Sequence, residues 1–323
     1  MSITVEIEKV GGPEVLRLVD LPPTEPKTGE VWLRQQAIGV NFLDVKHRNG
    51  GVQIPLPGGL GVEAAGVVEA LGPGVIEISK GDRVVYALGP IGSYAQGRIY
   101  PADRLIKLPD DILSEDAAAT FLKGLTAHYL LTDTFPVREG THVLMYGAGG
   151  GLGQIMVPWA RALGAQVIGV VSRASSASRA SAAGCDDVLV WGDGDLASTV
   201  KDLTSGRGVD VVYDGVGRET FDASLSSLRP RGMMVSMGAS SGLPDPVSMS
   251  RLNKASLFLT RPGLADHIAD KSEYQRRASA VFEALRRGVI KPSVWRSFPL
   301  KDVSVTHHAL ESGAAQGTIL LIP

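Results

Sequence analysis

The stretch from His142 to Gly153 reads HVLMYGAGGGLG. An apolar run enters a cluster of glycines, and an amphipathic segment follows. This is the setting in which a helix N-terminus receives a pyrophosphate. Its first N–H groups are unpaired, and glycine lets the backbone come close to the phosphates. The glycines fit Gly147-x-x-Gly150-x-x-Gly153, not the strict G-x-G-x-x-G spacing. Their weight comes from context, a strand before and a helix after. Gly149, Gly150 and Gly151 are the candidate phosphate contacts. The cofactor's ribose is read at the end of the next strand, where an Asp or Glu favours NAD. Val167 to Ala174 reads VIGVVSRA, which puts Ser172 and Arg173 at that place. A guanidinium neutralises a 2′-phosphate, so these residues favour NADPH over NADH. The plainer reading is that Arg173 or Arg179 points into solvent. After the candidate strand Gly232–Met237 comes GASSG, Gly238 to Gly242. At the carboxyl edge of a parallel sheet such a loop can touch the nicotinamide ribose or carboxamide. Gly238, Ser240 and Ser241 are its candidate contacts.

Other reactive side chains are sparse. Cys185 is the single cysteine, which excludes an internal disulfide and a cysteine-built structural zinc site. It fits a reducing compartment. Histidines stand at 47, 128, 142, 267, 307 and 308 with no ligand spacing on one helix face, and read as structural or solvated. His47 is set apart by following Asn41 closely. Asp44 reads as a helix-start acid. Arg276, Arg277, Arg286 and Arg287 read as the charges of an exposed helix. Met233, Met234, Met237 and Met249 read as core packing.

These residues need a scaffold. The chain has 323 residues, which predicts about two domains at roughly 150 residues each. The first third is made of short β-like segments between Gly/Pro turns: Thr4–Val10, Glu30–Ile38, Gly61–Leu71 and Asp82–Ala87. Asp116–Asp133 reads as a helix with Ser114 as N-cap. Strands and helices then alternate. The strands are His142–Gly147, Gln166–Ser172, Asp187–Val190, Val209–Asp214, Gly232–Met237 and Ser256–Thr260. The helices lie around 151–163, 174–183, 195–204 and 219–228. Apolar strands alternating with helices mean a parallel sheet covered on both faces. A helix over Glu273–Gly288 follows, and the tail Thr318–Ile322 reads as a strand returning to the first domain. Pro158 falls inside the first of the alternating helices, where it should kink the helix or strand a carbonyl.

Composition narrows the classes further. Lys and Arg total 32 against 34 Asp and Glu, with no basic block, which argues against a nucleic-acid binder. The first residues are charged and do not read as a signal peptide. Val143–Ala160 holds Gln154, Pro158 and several glycines, a poor membrane helix. The expectation is a cytoplasmic protein.

In this order, GVNFLD (Gly39–Asp44), GVEAAG (Gly61–Gly66), GDRV (Gly81–Val84) and the glycine turn resemble the medium-chain dehydrogenases/reductases. FLKGLTAHYLL (Phe121–Leu131), VVYDGVG (Val211–Gly217), TRP (Thr260–Pro262) and the terminal LLIP resemble the zinc-free quinone oxidoreductases of the zeta-crystallin branch. The resemblance covers essentially the whole chain. It implies a discontinuous β-rich, GroES-like substrate domain over 1–122 and 265–323. It also implies a doubly wound, Rossmann dinucleotide domain over 123–264. Zinc-dependent relatives carry a cysteine where this chain has Asn41 and a histidine where it has Val62. Valine cannot ligate zinc, and catalytic zinc needs three N/O/S ligands. Alcohol oxidation through a zinc alkoxide is therefore not expected.

The resemblance places Asn41 and Thr126 beside the nicotinamide end of the cofactor. Lys123 is a candidate donor to a carbonyl or oxyanion. It further implies cofactor contacts at Gly215, Val216, Met237 and Arg261. Relatives have a tyrosine at Lys46 on the substrate side, a lysine at Ser176 and a tyrosine at Trp191, the last two in the 2′-phosphate region. Lys46 and His47 are the candidate substrate contacts; Ser176 and Trp191 are candidate cofactor contacts.

The expected activity is NADPH-dependent quinone reduction by direct hydride transfer, without metal or flavin. The alternative within enzymes is reduction of an enone or alkenal, towards which Lys46 leans. Outside enzymes, it is an NADPH-binding sensor or crystallin-like protein. Edge pairing of Ser256–Thr260 suggests a homodimer.

Overall fold

The computed structural model describes residues 2–22 and 24–323. The chain divides into two units. One runs to Lys123 and takes in Asp270–Phe282 and Pro292–Pro323; the other holds Gly124–Ala269 and Glu283–Lys291.

The first unit begins with the alternating segments that the turns separate. They form β1 (Ser2–Ile7), β2 (Arg17–Leu21), β3 (Glu30–Val40), β4 (Gly58–Gly59), β5 (Glu63–Leu71), β6 (Arg83–Ala87), β7 (Gly97–Pro101) and β8 (Ile106–Lys107). Helix α1 (Phe42–Arg48) follows β3 directly, and α2 (Ser114–Tyr129) follows β8. A small antiparallel sheet has the order β2-β1-β4. In the larger one β3 is central, pairing antiparallel with both β5 and β7. Alternation along these strands, reset in β3 by an irregularity between Gln35 and Ala37, puts Val5, Ile7, Val31, Leu33, Ile38, Val68 and Val84 into one apolar core. Ser114 is the first residue of α2, and its hydroxyl donates to Gln36 Oε1 at 2.6 Å instead of capping the helix.

The second unit opens with β9 (His142–Tyr146), the glycine turn and α3 (Gly153–Ala162). There follow β10 (Gln166–Val171), α4 (Ala177–Ala183), β11 (Asp187–Val190), α5 (Leu196–Leu203), β12 (Val209–Asp214), α6 (Phe221–Ser227), β13 (Leu228–Ser236), α7 (Met249–Asn253), β14 (Phe258–Thr260) and α8 (Leu264–His267). All pairings in this sheet are parallel, and its order is β11-β10-β9-β12-β13-β14. This is the doubly wound arrangement, with its reversal of strand order beside β9. Residues 209–214 are buried throughout, as a strand covered on both faces requires. Leu144, Ile168, Val170, Val200, Val212 and Phe221 belong to its core. Helix α3 continues through Pro158. Pro158 has no N–H to give to the helix ladder, and it is half-buried.

The chain ends with α9 (Lys271–Arg286), β15 (Val294–Pro299), α10 (Val303–Glu311) and β16 (Thr318–Ile322). β16 pairs antiparallel with β3 (Ile319 opposite Val40), so the tail does return to the first unit. Two expectations need correction. Arg277 is 1% exposed, unlike Arg276, Arg286 and Arg287. The helical period puts it on the face of the buried Tyr274, Ala278 and Val281. Met249 is 77% exposed on α7, whereas Met234 is in the core. Among the described residues no helix is long and apolar enough to cross a membrane.

Candidate active site

Within the first unit, three sequence motifs meet at one carboxylate. Asn41 follows β3 at the N-cap of α1, Glu63 starts β5, and Lys123 stands on α2. Asn41 Nδ2 donates to Glu63 Oε1 at 2.7 Å and to the Gly39 carbonyl at 3.3 Å. Lys123 Nζ donates to Asn41 Oδ1 at 2.9 Å and to Glu63 Oε1 at 3.4 Å. The Leu122 N–H donates to Glu63 Oε2 at 2.9 Å. An acceptor-only carboxylate on one side and a donor-only ammonium on the other fix which amide atom of Asn41 is which. The packing is close. A Cβ on Gly39 would run into Glu63 Oε1 and sit 2.5 Å from the Ala118 carbonyl. Glu63 is fully buried and Lys123 is 9% exposed.

A second network holds the Asn41 backbone. Asp44 Oδ2 accepts from the Asn41 N–H at 2.8 Å and from the Tyr94 hydroxyl at 2.8 Å. Tyr94 lies 3.1 Å from His307 Nε2, and Arg48 Nη1 lies 3.1 Å from His307 Nδ1. Arginine only donates, so Nδ1 accepts, and the proton on Nε2 points to Tyr94. Donation thus runs Arg48 to His307 to Tyr94 to Asp44. Arg48 also makes a two-pronged bond to Glu311, at 3.0 and 2.6 Å. Burial pushes Asp44 up to about 7, opposed by these hydrogen bonds and by Lys123 and reinforced by Glu63. Burial, helped by Arg48, holds His307 down at about 3. Asp44 Oδ1 and His47 Nδ1 are buried without hydrogen-bond partners among the described residues. Burial also lowers the pKa of His47. Lys46 is half-buried on the same helix, with Nζ 5.7 Å from the centre of the Phe42 ring. Thr126 stands one helical turn after Lys123 on α2 and is half-buried.

In the second unit the expected cofactor residues gather at the carboxyl edge of the sheet. A cavity of about 390 Å³ is lined by Tyr146, Gly147, Ser172, Trp191, Val216, Ser240 and Ser241, among others. The glycine turn enters with Gly147 at φ +68°, and the Gly150 N–H donates to its carbonyl at 2.9 Å. A Cβ on Gly149 would lie 2.8 Å from the Ser176 carbonyl, so the turn and residues 174–176 are in close contact. Trp191 packs edge-on against Tyr146, whose buried hydroxyl has no partner among the described residues. Arg173 is exposed, while Arg179 is half-buried.

Two loops complete the cavity, and a residue that sequence reasoning missed shapes them. Asp214 ends β12, fully buried. Its Oδ1 accepts from the N–H groups of Val216 and Gly217, at 2.8 and 3.0 Å. Its Oδ2 accepts from Thr220 and Ser224, both at 2.7 Å. The Met237 N–H donates to the Asp214 carbonyl at 2.9 Å, and the Ser241 hydroxyl to that of Val216 at 2.8 Å. A Cβ on Gly238 would sit 2.7 Å from the Gly215 carbonyl. Arg261, just after β14, bonds Ser236 at 3.3 Å. Glu63 was also missed. Its signal was a lone acid inside an apolar strand, GVEAAGVV. Cys185 packs beneath β10 at Gly169, and burial pushes its thiol up to about 12, away from the reactive thiolate form.

A strand-turn-helix unit with close glycines, at the strand-order reversal of a doubly wound sheet, fits a dinucleotide cofactor. Joined to the β-rich unit, it defines a medium-chain dehydrogenase/reductase. Family comparison agrees: residues 27–110 match the alcohol dehydrogenase GroES-like domain, and residues 151–281 match the zinc-binding dehydrogenase family. Quinone oxidoreductase 1 of Escherichia coli is 44% identical over 327 residues, with all of both chains covered. A 2-haloacrylate reductase of a Burkholderia species is 43% identical, covering all of this chain and 99% of that protein. The crystal structure of the Escherichia coli quinone oxidoreductase complexed with NADPH aligns with a TM-score of 0.96. It covers 99% of this chain and all of the other, at 44% identity. The chain belongs to the quinone oxidoreductase family, and it is an oxidoreductase.

Proposed function

We propose that the protein reduces a quinone with NADPH by direct hydride transfer. The observation that carries the reading is the Asn41–Glu63–Lys123 cluster, a buried ammonium held by a carboxylate and an amide. Quinone reduction takes a hydride, which bound NADPH supplies, and a proton or hydrogen bond at the developing oxyanion. Lys123 supplies the cation for that oxyanion. Glu63 and Asn41 hold its ammonium in place, and Asp44 fixes the backbone from which Asn41 projects. Thr126 adds a hydroxyl one turn along the same helix.

The phosphates are bound by Gly149, Gly150 and Gly151. Ser172, Arg173, Ser176 and Trp191 serve the adenosine side. Gly215, Val216, Met237, Gly238, Ser240, Ser241 and Arg261 serve the nicotinamide side. The cavity lining supports this assignment. Lys46 and His47 are the acceptor contacts. The protein is a cytoplasmic homodimer paired along β14, which is the edge of its sheet.

A second reading is favoured by Lys46. Its cation on α1 suits a short, negatively charged α,β-unsaturated acceptor better than a flat quinone. Steady-state rates with 1,4-benzoquinone and 2-chloroacrylate, at saturating NADPH, separate the two. Quinone reduction predicts a higher kcat/KM for benzoquinone, and Lys46→Tyr raises that preference. A higher kcat/KM for 2-chloroacrylate, lost in Lys46→Tyr, establishes the second reading instead.

A further inference from the structure

The end of β10 is where a nucleotide's 2′-position is read, and in this chain two arginines stand near it. Arg173 follows β10 immediately and is exposed. Arg179 comes from α4 and turns back towards the sheet. Its Nε donates to the Gly149 carbonyl at 3.3 Å, and its Nη2 donates to the Ser176 hydroxyl at 2.8 Å. It is half-buried, and Ser176 is itself packed against Gly149. The guanidinium is therefore tied at once to the glycine turn and to the turn after β10.

We infer that Arg179 is the residue that selects a 2′-phosphorylated nucleotide, a role deepening the NADPH reading on which it rests. A guanidinium has five N–H donors in a rigid fork. The two bonds to Gly149 and Ser176 use two of them and set the plane of the group. The remaining donors suit the oxygens of a phosphate dianion. Because the side chain is already ordered, less conformational entropy is lost when that phosphate arrives. Ser176 is small and neutral, and its hydroxyl accepts from Arg179. Arg173, lying in the open, gives a screened and weaker attraction.

Isothermal titration of the full chain with 2′,5′-ADP and with 5′-AMP tests this without any acceptor or turnover. The two probes share the adenosine and the 5′-phosphate and differ at the 2′-position. The wild type binds 2′,5′-ADP more tightly. Arg179→Gln keeps a donor for Gly149. It should weaken 2′,5′-ADP about tenfold to hundredfold, as expected for losing a hydrogen-bonded charge, and leave 5′-AMP within about twofold. Arg179→Lys should recover part of the loss, and Arg173→Gln should lower the ratio by a clearly smaller factor than Arg179→Gln does. Equal weakening of both probes by Arg179→Gln would overturn the proposal, placing the arginine at the pyrophosphate or in a structural role. So would a ratio that survives in Arg179→Gln and falls in Arg173→Gln. A wild type that binds both probes equally contradicts the NADPH reading itself, and this role with it.

Discussion

Glu63 is buried beneath two donors that depend on it, Asn41 and Lys123. Removing one partner of a buried ion pair strands the other charge, at a cost of about 3–5 kcal/mol. Glu63→Leu and Lys123→Met should each lower the thermal unfolding midpoint markedly. The double variant, with no stranded charge, should be more stable than the sum of the two losses predicts. Strict additivity would mean that the pair contributes nothing as a pair. Asp44 gives a pH signature. Its folded pKa of about 7 lies above the ordinary carboxylate value, so the folded state holds a proton that the unfolded chain releases. That stability is fully present at low pH and is lost as pH rises through about 7. Between pH 5 and about 8, the midpoint of the wild type should fall relative to that of Asp44→Asn. His307, held at about 3, stays neutral across this window. Parallel midpoints of the two proteins would contradict the assignment. Asn41 and Lys123 were legible in the sequence because family motifs carry them. Glu63 and Asp214 were not, because a buried carboxylate is recognised by its donors, and those come from distant segments.

At the scale of elements, the strand–helix alternation was readable from apolar runs and turn glycines, with boundaries off by a residue or a few. Ser114 and Arg277 were misjudged for one reason. Local pattern does not say which neighbour, Gln36 or the Tyr274 face, will claim a polar side chain. The glycine turn is in close contact with the turn after β10. Gly149→Ala would push a Cβ against the Ser176 carbonyl, 2.8 Å away. The variant should bind 2′,5′-ADP and 5′-AMP more weakly by similar factors, about tenfold, since displacement of the turn costs both their 5′-phosphate contacts. A loss confined to 2′,5′-ADP would show that the turn serves only the 2′-side.

For the whole molecule, the candidate sites divide along the chain: one unit carries the Asn41–Glu63–Lys123 cluster, the other the cavity proposed for the nucleotide. The return of β16 to β3 was anticipated from the apolar tail. β14 leaves a short edge with Phe258 56% exposed. If that edge joins two copies, the wild type should sediment as a dimer at equilibrium and Phe258→Lys should shift it towards monomer, because a charged edge resists pairing. An unshifted dimer would place the interface elsewhere. The central claim is hydride transfer from NADPH to a quinone by the protein alone. It is tested most directly by following NADPH oxidation with 1,4-benzoquinone, after treatment with a chelator and without added flavin, with NADH run in parallel. Rapid turnover that favours NADPH and collapses in Lys123→Met is the predicted result. Tight NADPH binding without quinone reduction would contradict it.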